Sequence, residues 1–304
     1  MSMTQTILIN QYNNPLEKEL INLFHKSNLP KHFNHKGNKH FNNLQRMSLI
    51  ILFRRTKKSI RDFLIELKES KWTSWLDLPR IPKRSTFHDW LKLFCMKCIR
   101  KLLNLLRPKK AKLTAIDGTG FDSWQRSRHY EKRVGEVQAP PMPYAKADLF
   151  IDVPSRKVID FSLVMHHQHD IVAAKAFVNR NVLKGIVILA DKGYDSERLH
   201  ESIRNKGGTL FAPVRKSGRK RPKGRYRQRC VTLPNFMGQR SIVEAVNASI
   251  KRKQIECLRS KKNHMKKKEF AWHMIVYNIR RNIELSIDGE FQEEVTFYFL
   301  IILI

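Results

Sequence analysis

Leu16, Leu20, Leu23 and Phe24 recur at i, i+4, i+7 and i+8, an apolar stripe at helical period. The same period continues through residues 44–69. A short apolar-polar piece at 72–78 is stopped by Pro79 and Pro82. Beyond it Ser85 or Thr86 can cap a helix that puts Phe87, Trp90, Leu91, Phe94 and Cys98 on one face. Residues 1–110 therefore read as helical. From Leu113 the period changes. Leu113, Ala115 and Ile116 form a short strand that ends on Asp117 and is broken by Gly118 and Gly120. Residues 122–143 read as a long polar excursion. Residues 145–153 and 157–165 read as a hairpin turning at Pro154, Ser155 and Arg156. A helix over 171–181, a strand over 185–190 ending in Asp191, a helix over 196–205, a strand over 209–214 and helices from Gly238 and Phe270 complete the series. This order predicts an α/β domain, a mixed sheet flanked by helices, over 111–287. The basic, Pro-broken stretch 107–112 is the expected boundary with the all-helical region. Residues 288–304 form a tail, apolar from Val295. That apolar stretch is too short to span a bilayer and reads either as an end strand or as an appendage.

Charge adds a partner to this picture. Of 304 residues 59 are Lys or Arg and 27 Asp or Glu, a net +32 with pI near 10.3. Such an excess points to a polyanion, because basic side chains displace condensed counterions from a phosphate backbone. An anionic membrane surface is the weaker reading, and Met47 to Phe53 are too few to span a bilayer. Between Arg215 and Arg229 nine of fifteen residues are basic and none is acidic. Gly218, Pro222 and Gly224 argue against a helix there, so Arg215, Lys216, Arg219, Lys220, Arg221, Lys223 and Arg225 read as a basic arm that lies along DNA phosphates. The short helix, Pro-containing turn and capped helix around Arg80, Lys83, Arg84 and Lys92 fit a helix-turn-helix-like DNA-binding region; an ordinary helical bundle fits as well. No secretory signal opens the chain, so a cytoplasmic, nucleoid-associated protein with reduced thiols is expected. Cys95 and Cys98 have metal-like spacing without a second pair, and on a helix i and i+3 simply face the same way.

The chemistry rests on carboxylates. A charge at the end of a buried strand is costly unless it is paired or bound to a cation. Two such strands side by side would bring Asp117 and Asp191 to one metal, and carboxylate-only sites suit hard cations such as Mg²⁺ or Mn²⁺. On the helix from Gly238, Arg240, Glu244 and Lys251 share a face, while Val243, Val246 and Ile250 point to the sheet. Alone, that face reads better as a salt-bridged exposed surface than as a site. His166, His167 and His169 with Asp170 read as a strand end and helix cap rather than a zinc site. Asp195 reads as a cap for the next helix, and Asp148, Asp152 and Asp160 as hairpin edge or turn residues.

Asp117, Asp191 within Ala-Asp-Lys-Gly-Tyr-Asp-Ser, and Arg240-x3-Glu244-x6-Lys251 together resemble the signature of DDE-type insertion-sequence transposases, over residues 113–285. The resemblance implies an RNase H-like catalytic domain. In it Asp117, Asp191 and Glu244 hold two Mg²⁺ or Mn²⁺ ions, and Arg240 and Lys251 contact DNA near the cleaved end. It implies cleavage at the ends of an insertion sequence and attack of the freed 3′-OH on target DNA. Its partners would be double-stranded DNA, as terminal inverted repeats and as target, with a homodimer joining two ends. One position departs from the family: where a tyrosine usually stands three residues before the arginine, this chain has Met237. The alternatives are an RNase H-like nuclease without strand transfer and a catalytically inactive DNA-binding relic.

Overall fold

The computed structural model describes residues 14–33, 39–122, 144–166, 168–215, 222–255 and 257–302. Its core element is a five-stranded sheet in the order β3-β2-β1-β4-β5, formed by β1 (Leu113–Asp122), β2 (Tyr144–Asp152), β3 (Val158–Val164), β4 (Val187–Leu189) and β5 (Thr209–Phe211). Strands β1 to β3 are antiparallel; β4 and β5 run parallel to β1. This is a mixed, RNase H-like sheet. The parallel pairs need crossovers, which are α7 (Asp170–Arg180) and α8 (Glu197–Asn205). One face is dry: Ile116, Phe150, Ala174, Phe177, Ile188, Leu199 and Ile203 are buried together. Phe150 and Phe177 stack with centroids 6.0 Å apart. The other face receives α10 (Ser241–Lys253), whose Val243, Val246 and Ile250 are buried as their spacing predicts.

The chain divides into two compact units: Arg107–Ala271, which holds the sheet, and Met1–Leu106 with Trp272–Ile304. The second unit is helical in its described residues. It comprises α1 (Pro15–Ser27), α2 (Asn43–Arg55), α3 (Ile60–Glu69), α4 (Trp72–Trp75), α5 (Arg84–Leu93) and α6 (Met96–Leu105). Local chemistry sets several of these starts. Asn14 accepts from the Leu16 amide, Asn42 and Gln45 form a capping box, and Ser59 caps α3. Phe53, Phe63, Phe87 and Trp90 form an aromatic cluster inside the unit.

Several expected boundaries move. The helix expected over 44–69 is two, parted where Thr56 turns extended and Ser59 starts α3. Neither Ser85 nor Thr86 caps α5, which starts at Arg84 after Pro82 with no side-chain cap. Phe94 does not continue that helix. It is extended and fully buried, and Cys95 begins α6 by accepting the Cys98 amide on its sulfur at 3.4 Å. The cysteine spacing thus belongs to a helix cap. The expected final helix begins earlier and runs on: α11 spans Asn263–Ile302, taking in Lys266, Lys267 and Lys268 ahead of Phe270 and residues 295–302 of the apolar tail as helix rather than as an end strand. The unit division falls within it, at Ala271 and Trp272. No described helix is long and apolar enough to cross a membrane. Most of the expected 122–143 excursion lies outside the described residues.

Candidate active site

Asp117 is not at a strand end. Strand β1 continues to Asp122 because β2 pairs with it along that whole length, with Asp117 opposite Leu149 and Gly118 opposite Asp148. What ends near Asp117 is the parallel neighbour. The β1–β4 ladder closes at the Ala115–Leu189 pair. Asp117 and Asp191 each lie two residues past that pair, where the open end of a parallel sheet admits ligands. Asp191 itself starts a 3₁₀ turn, Lys192–Tyr194, its Oδ1 accepting the Gly193 amide at 2.6 Å.

Helix α10 brings the third acid to Asp117. Asn247, on this helix, donates its Nδ2 to Asp117 Oδ2 at 3.1 Å. Positions 240, 244, 247 and 251 form one stripe at helical period, so Asn247 sits between Glu244 and Lys251. That spacing was the signal by which sequence reasoning could have found it. Glu244 accepts from Arg240 at 2.6 Å with its side chain 53% exposed, a surface pair of the kind that contributes little. The Lys251 ammonium lies 5.3 Å from the centroid of the Phe121 ring.

Burial pushes the Asp117 carboxyl up to about 6, and the nearby carboxylates of Asp191 and Glu244 add to the rise. Arg240 and the Gly118 amide oppose it. Asp191, past the end of β4, and Glu244, on α10, therefore both act electrostatically on Asp117 of β1. Among the described residues no three His, Cys, Asp or Glu side chains are gathered closely enough to hold a metal ion. The trio is a set of neighbours, with Glu244 turned to Arg240.

The family model described as the transposase DDE domain matches residues 108–279, more than half of the chain. The chain belongs to the DDE transposase family. DDE transposases generally use divalent metal ions. No curated protein matches the sequence. Among solved structures, a piggyBac transposase synaptic complex with hairpin DNA is similar at a TM-score of 0.44 and 11% identity, over 91% of this chain and 74% of that one.

Beside these three acids the transposase carries a polar cluster that sequence reasoning missed. Asp148 lies on the central strand β2 and not at an edge, while Asp160 lies on the edge strand β3 as expected; both are buried. Lys146 bonds to Asp170, donates to Gln168 O at 2.7 Å and lies 3.4 Å from Asp148 Oδ1. Tyr194 donates its hydroxyl to Asp148 at 3.3 Å. Burial works against the Lys146 ammonium, but Asp170 and Asp148 outweigh it and its pKa is raised. Asp160 instead holds Arg180 at 2.9 Å and Asn181 at 3.0 Å. Asp152 does not reach the trio; it accepts the Ser155 amide at 3.0 Å and closes the hairpin turn. His169 occupies the N-cap of α7 as expected, without a side-chain cap bond, while His167 lies outside the described residues.

Two glycines make room for this arrangement. A Cβ on Gly193 would stand 2.4 Å from Asp170 Oδ2 and 2.7 Å from Asp191 Oδ1. Gly193→Ala is thus expected to push the Asp191 carboxylate aside. A displacement on the order of 1 Å costs about 100-fold in rate, so single-turnover cleavage should fall by that factor, and the melting temperature should fall too because Asp170, the partner of Lys146, must also move. Gly118 is similarly placed, 3.0 Å from Asp148 Oδ1.

Asp148 also predicts a pH dependence of stability. Burial pushes its carboxyl up to about 6, more than Lys146 pulls it down. The unfolded group titrates near 3.9, so between about pH 4 and pH 6 the unfolded chain has already lost a proton that the native state keeps. Stability from this group is full below pH 4 and is lost as pH rises through 6. At about 1.4 kcal/mol per pKa unit the loss is about 2–3 kcal/mol. Urea unfolding of Asp148→Asn should lack that share of the decline shown by wild type.

The basic arm is partly built into the fold. Arg225–Arg229 is a short helix, α9, against the expectation of none. Its Arg227 makes a two-pronged bond to Asp195 at 2.7 Å for each contact. Asp195 therefore does not cap α8; its carboxyl, held below the usual range by Arg227, also accepts the Arg215 amide at 2.8 Å. Arg215 donates its Nε to Lys192 O at 2.8 Å, which ties it to the turn that follows Asp191. Lys223 and Arg225 are exposed. Lys216, Arg219, Lys220 and Arg221 lie outside the described residues.

Proposed function

We propose that this transposase cuts DNA at the ends of an insertion sequence and joins the freed 3′-OH to target DNA, with Asp117, Asp191 and Glu244 as its carboxylates. The observation that carries the reading is the convergence of two acids from distant segments on the field of Asp117. An all-oxygen donor set suits Mg²⁺ or Mn²⁺. Burial lifts the Asp117 carboxyl most and the charges of Asp191 and Glu244 add to the rise; a cation would offset both. Asp117, Asp191 and Glu244 would hold such ions, and the chemistry supplied there would be activation of a water or 3′-OH and charge stabilisation in an in-line displacement.

The chain's own residues do the rest. Asn247 fixes the orientation of Asp117. Asp191 is held by the Gly193 amide, which leaves its second oxygen for a ligand. Glu244 can leave Arg240, and Arg240 is then placed to meet a phosphate. Lys251, Lys223 and Arg225, with Lys216, Arg219, Lys220 and Arg221, supply further positive charge for the backbone of the terminal repeat or target. The helical unit, with α4, Pro79, Pro82 and α5, reads as the part that recognises DNA. Two ends must be joined, so a homodimer on DNA is the working assembly.

The test uses a labelled duplex carrying the element's own terminal sequence, incubated with Mg²⁺ and a plasmid target. Label transferred into the plasmid supports the transposase reading. Cleaved duplex without transfer points to a nuclease on the same fold. Salt-sensitive binding without either product points to an inactive relic.

A further inference from the structure

The opposite end of the sheet carries a feature that the carboxylate site does not use. A groove of about 440 Å³ lies where β1 and β4 begin, bounded by Arg107, Lys109, Lys110, Lys112, Lys184 and Asn181. No acidic side chain lines it. Lys109, Lys110, Lys112 and Lys184 are exposed, and among the described residues none of them has an ion-pair partner. Its inner wall includes Phe150 and Ile159, both buried. Four uncompensated ammonium groups around one groove repel one another, and they hold that place only at an electrostatic cost that a polyanion removes.

Asn181, which also borders the groove, is committed to the fold. Its side chain is nearly buried, at 6% exposure. Asp160 Oδ2 and Phe177 O are both acceptors, so the group facing them must be the amide NH₂. That leaves the Asn181 carbonyl oxygen, which is buried and, as an acceptor, does not bond to a phosphate oxygen, so the lysines supply the positive charge and donors here.

We propose that this groove is a second DNA-backbone site of the transposase, taking a phosphodiester stretch on its lysines. The proposal rests on the DNA-cutting reading above and adds a place for DNA away from the carboxylates. From Leu113 to Asp117 the strand rises roughly 13 Å, the length of about four base-pair steps. The ligand chemistry is that of a phosphate ester, so a free nucleotide is the rival occupant.

The experiment compares full-length wild type with Lys109→Ala/Lys110→Ala/Lys112→Ala/Lys184→Ala in fluorescence anisotropy against a 30-base-pair duplex over a range of salt. Each lysine that meets a phosphate contributes about 0.9 to the slope of log K against log salt. The variant should therefore lose about 3 to 4 from that slope at an unchanged melting temperature. Lys184→Glu alone should weaken binding more than Lys184→Ala. A control with Lys175→Ala/Arg198→Ala, exposed basic residues outside the groove, should lose much less per charge removed. An unchanged slope in the four-lysine variant overturns the proposal. So does calorimetric binding of a 5′-mononucleotide to wild type that the variant loses while its duplex slope is kept. If wild type binds no duplex at all, the DNA reading itself fails, a separate result from either.

Discussion

Asp117→Asn is expected to lower Mg²⁺-dependent strand cleavage by more than about 100-fold while duplex binding stays near wild type. Outer partners of metal ligands typically cost 10- to 100-fold when removed, and a group at the centre of the acid set must cost at least as much. The substitution keeps the shape of the side chain and a hydrogen bond to Asn247, whose amide lies 3.1 Å away. Only the charge is lost. Asp191→Asn and Glu244→Gln should behave alike, and Asn247→Ala should fall between them and wild type. Quench-flow cleavage of a pre-bound duplex reads the chemical step, and anisotropy reads binding. Full cleavage by any one of the three acid variants removes that residue from the catalytic set.

Lys146→Met is expected to destabilise the sheet-bearing unit by about 3–5 kcal/mol near neutral pH. Removing one member of a buried pair leaves the other charge uncompensated. Here the charge left behind is Asp148, whose side chain is fully buried, and Asp170 and Gln168 O lose a donor as well. The pH dependence separates this cause from lost packing. Asp148 already titrates at about 6, and without Lys146 its pKa rises further. Below about pH 5 it is protonated in both proteins, so the deficit seen by urea unfolding at about pH 7.5 should shrink there. A deficit under about 1 kcal/mol at neutral pH, or one independent of pH, contradicts the electrostatic account.

Much of the sheet was legible in local pattern. The switch from period 3.6 to alternation at Leu113, the hairpin at Pro154 to Arg156, and the valines and isoleucine of α10 each carry their own signal. What was not legible depends on partners far away in the chain. Gly118 and Gly120 look like strand breakers, yet β1 passes through them because β2 supplies a ladder from beyond residue 143. Asp195 looks like a helix cap until Arg227 arrives 32 residues later. Asp148 looks like an edge residue, although Lys146 and Asp148 at i and i+2 of a strand must share a face. Asn247 was readable from the stripe of α10, but its partner on β1 was not. The metal-like spacing of Cys95 and Cys98 was a local feature with a local use, the start of α6.

The three acids hang from supports of unequal stiffness. Asp117 belongs to a strand paired on both sides nearby, and Asp191 to a short turn pinned by Gly193 and Arg215. Glu244 has a long side chain in water, restrained by one surface contact. Any rearrangement that completes the set around substrate therefore falls on rotation about the χ angles of Glu244, a picosecond-to-nanosecond event for an exposed side chain. In the mechanism proposed above, turnover should then be limited by bringing DNA ends together or by the bond-breaking step, and not by assembling the acids.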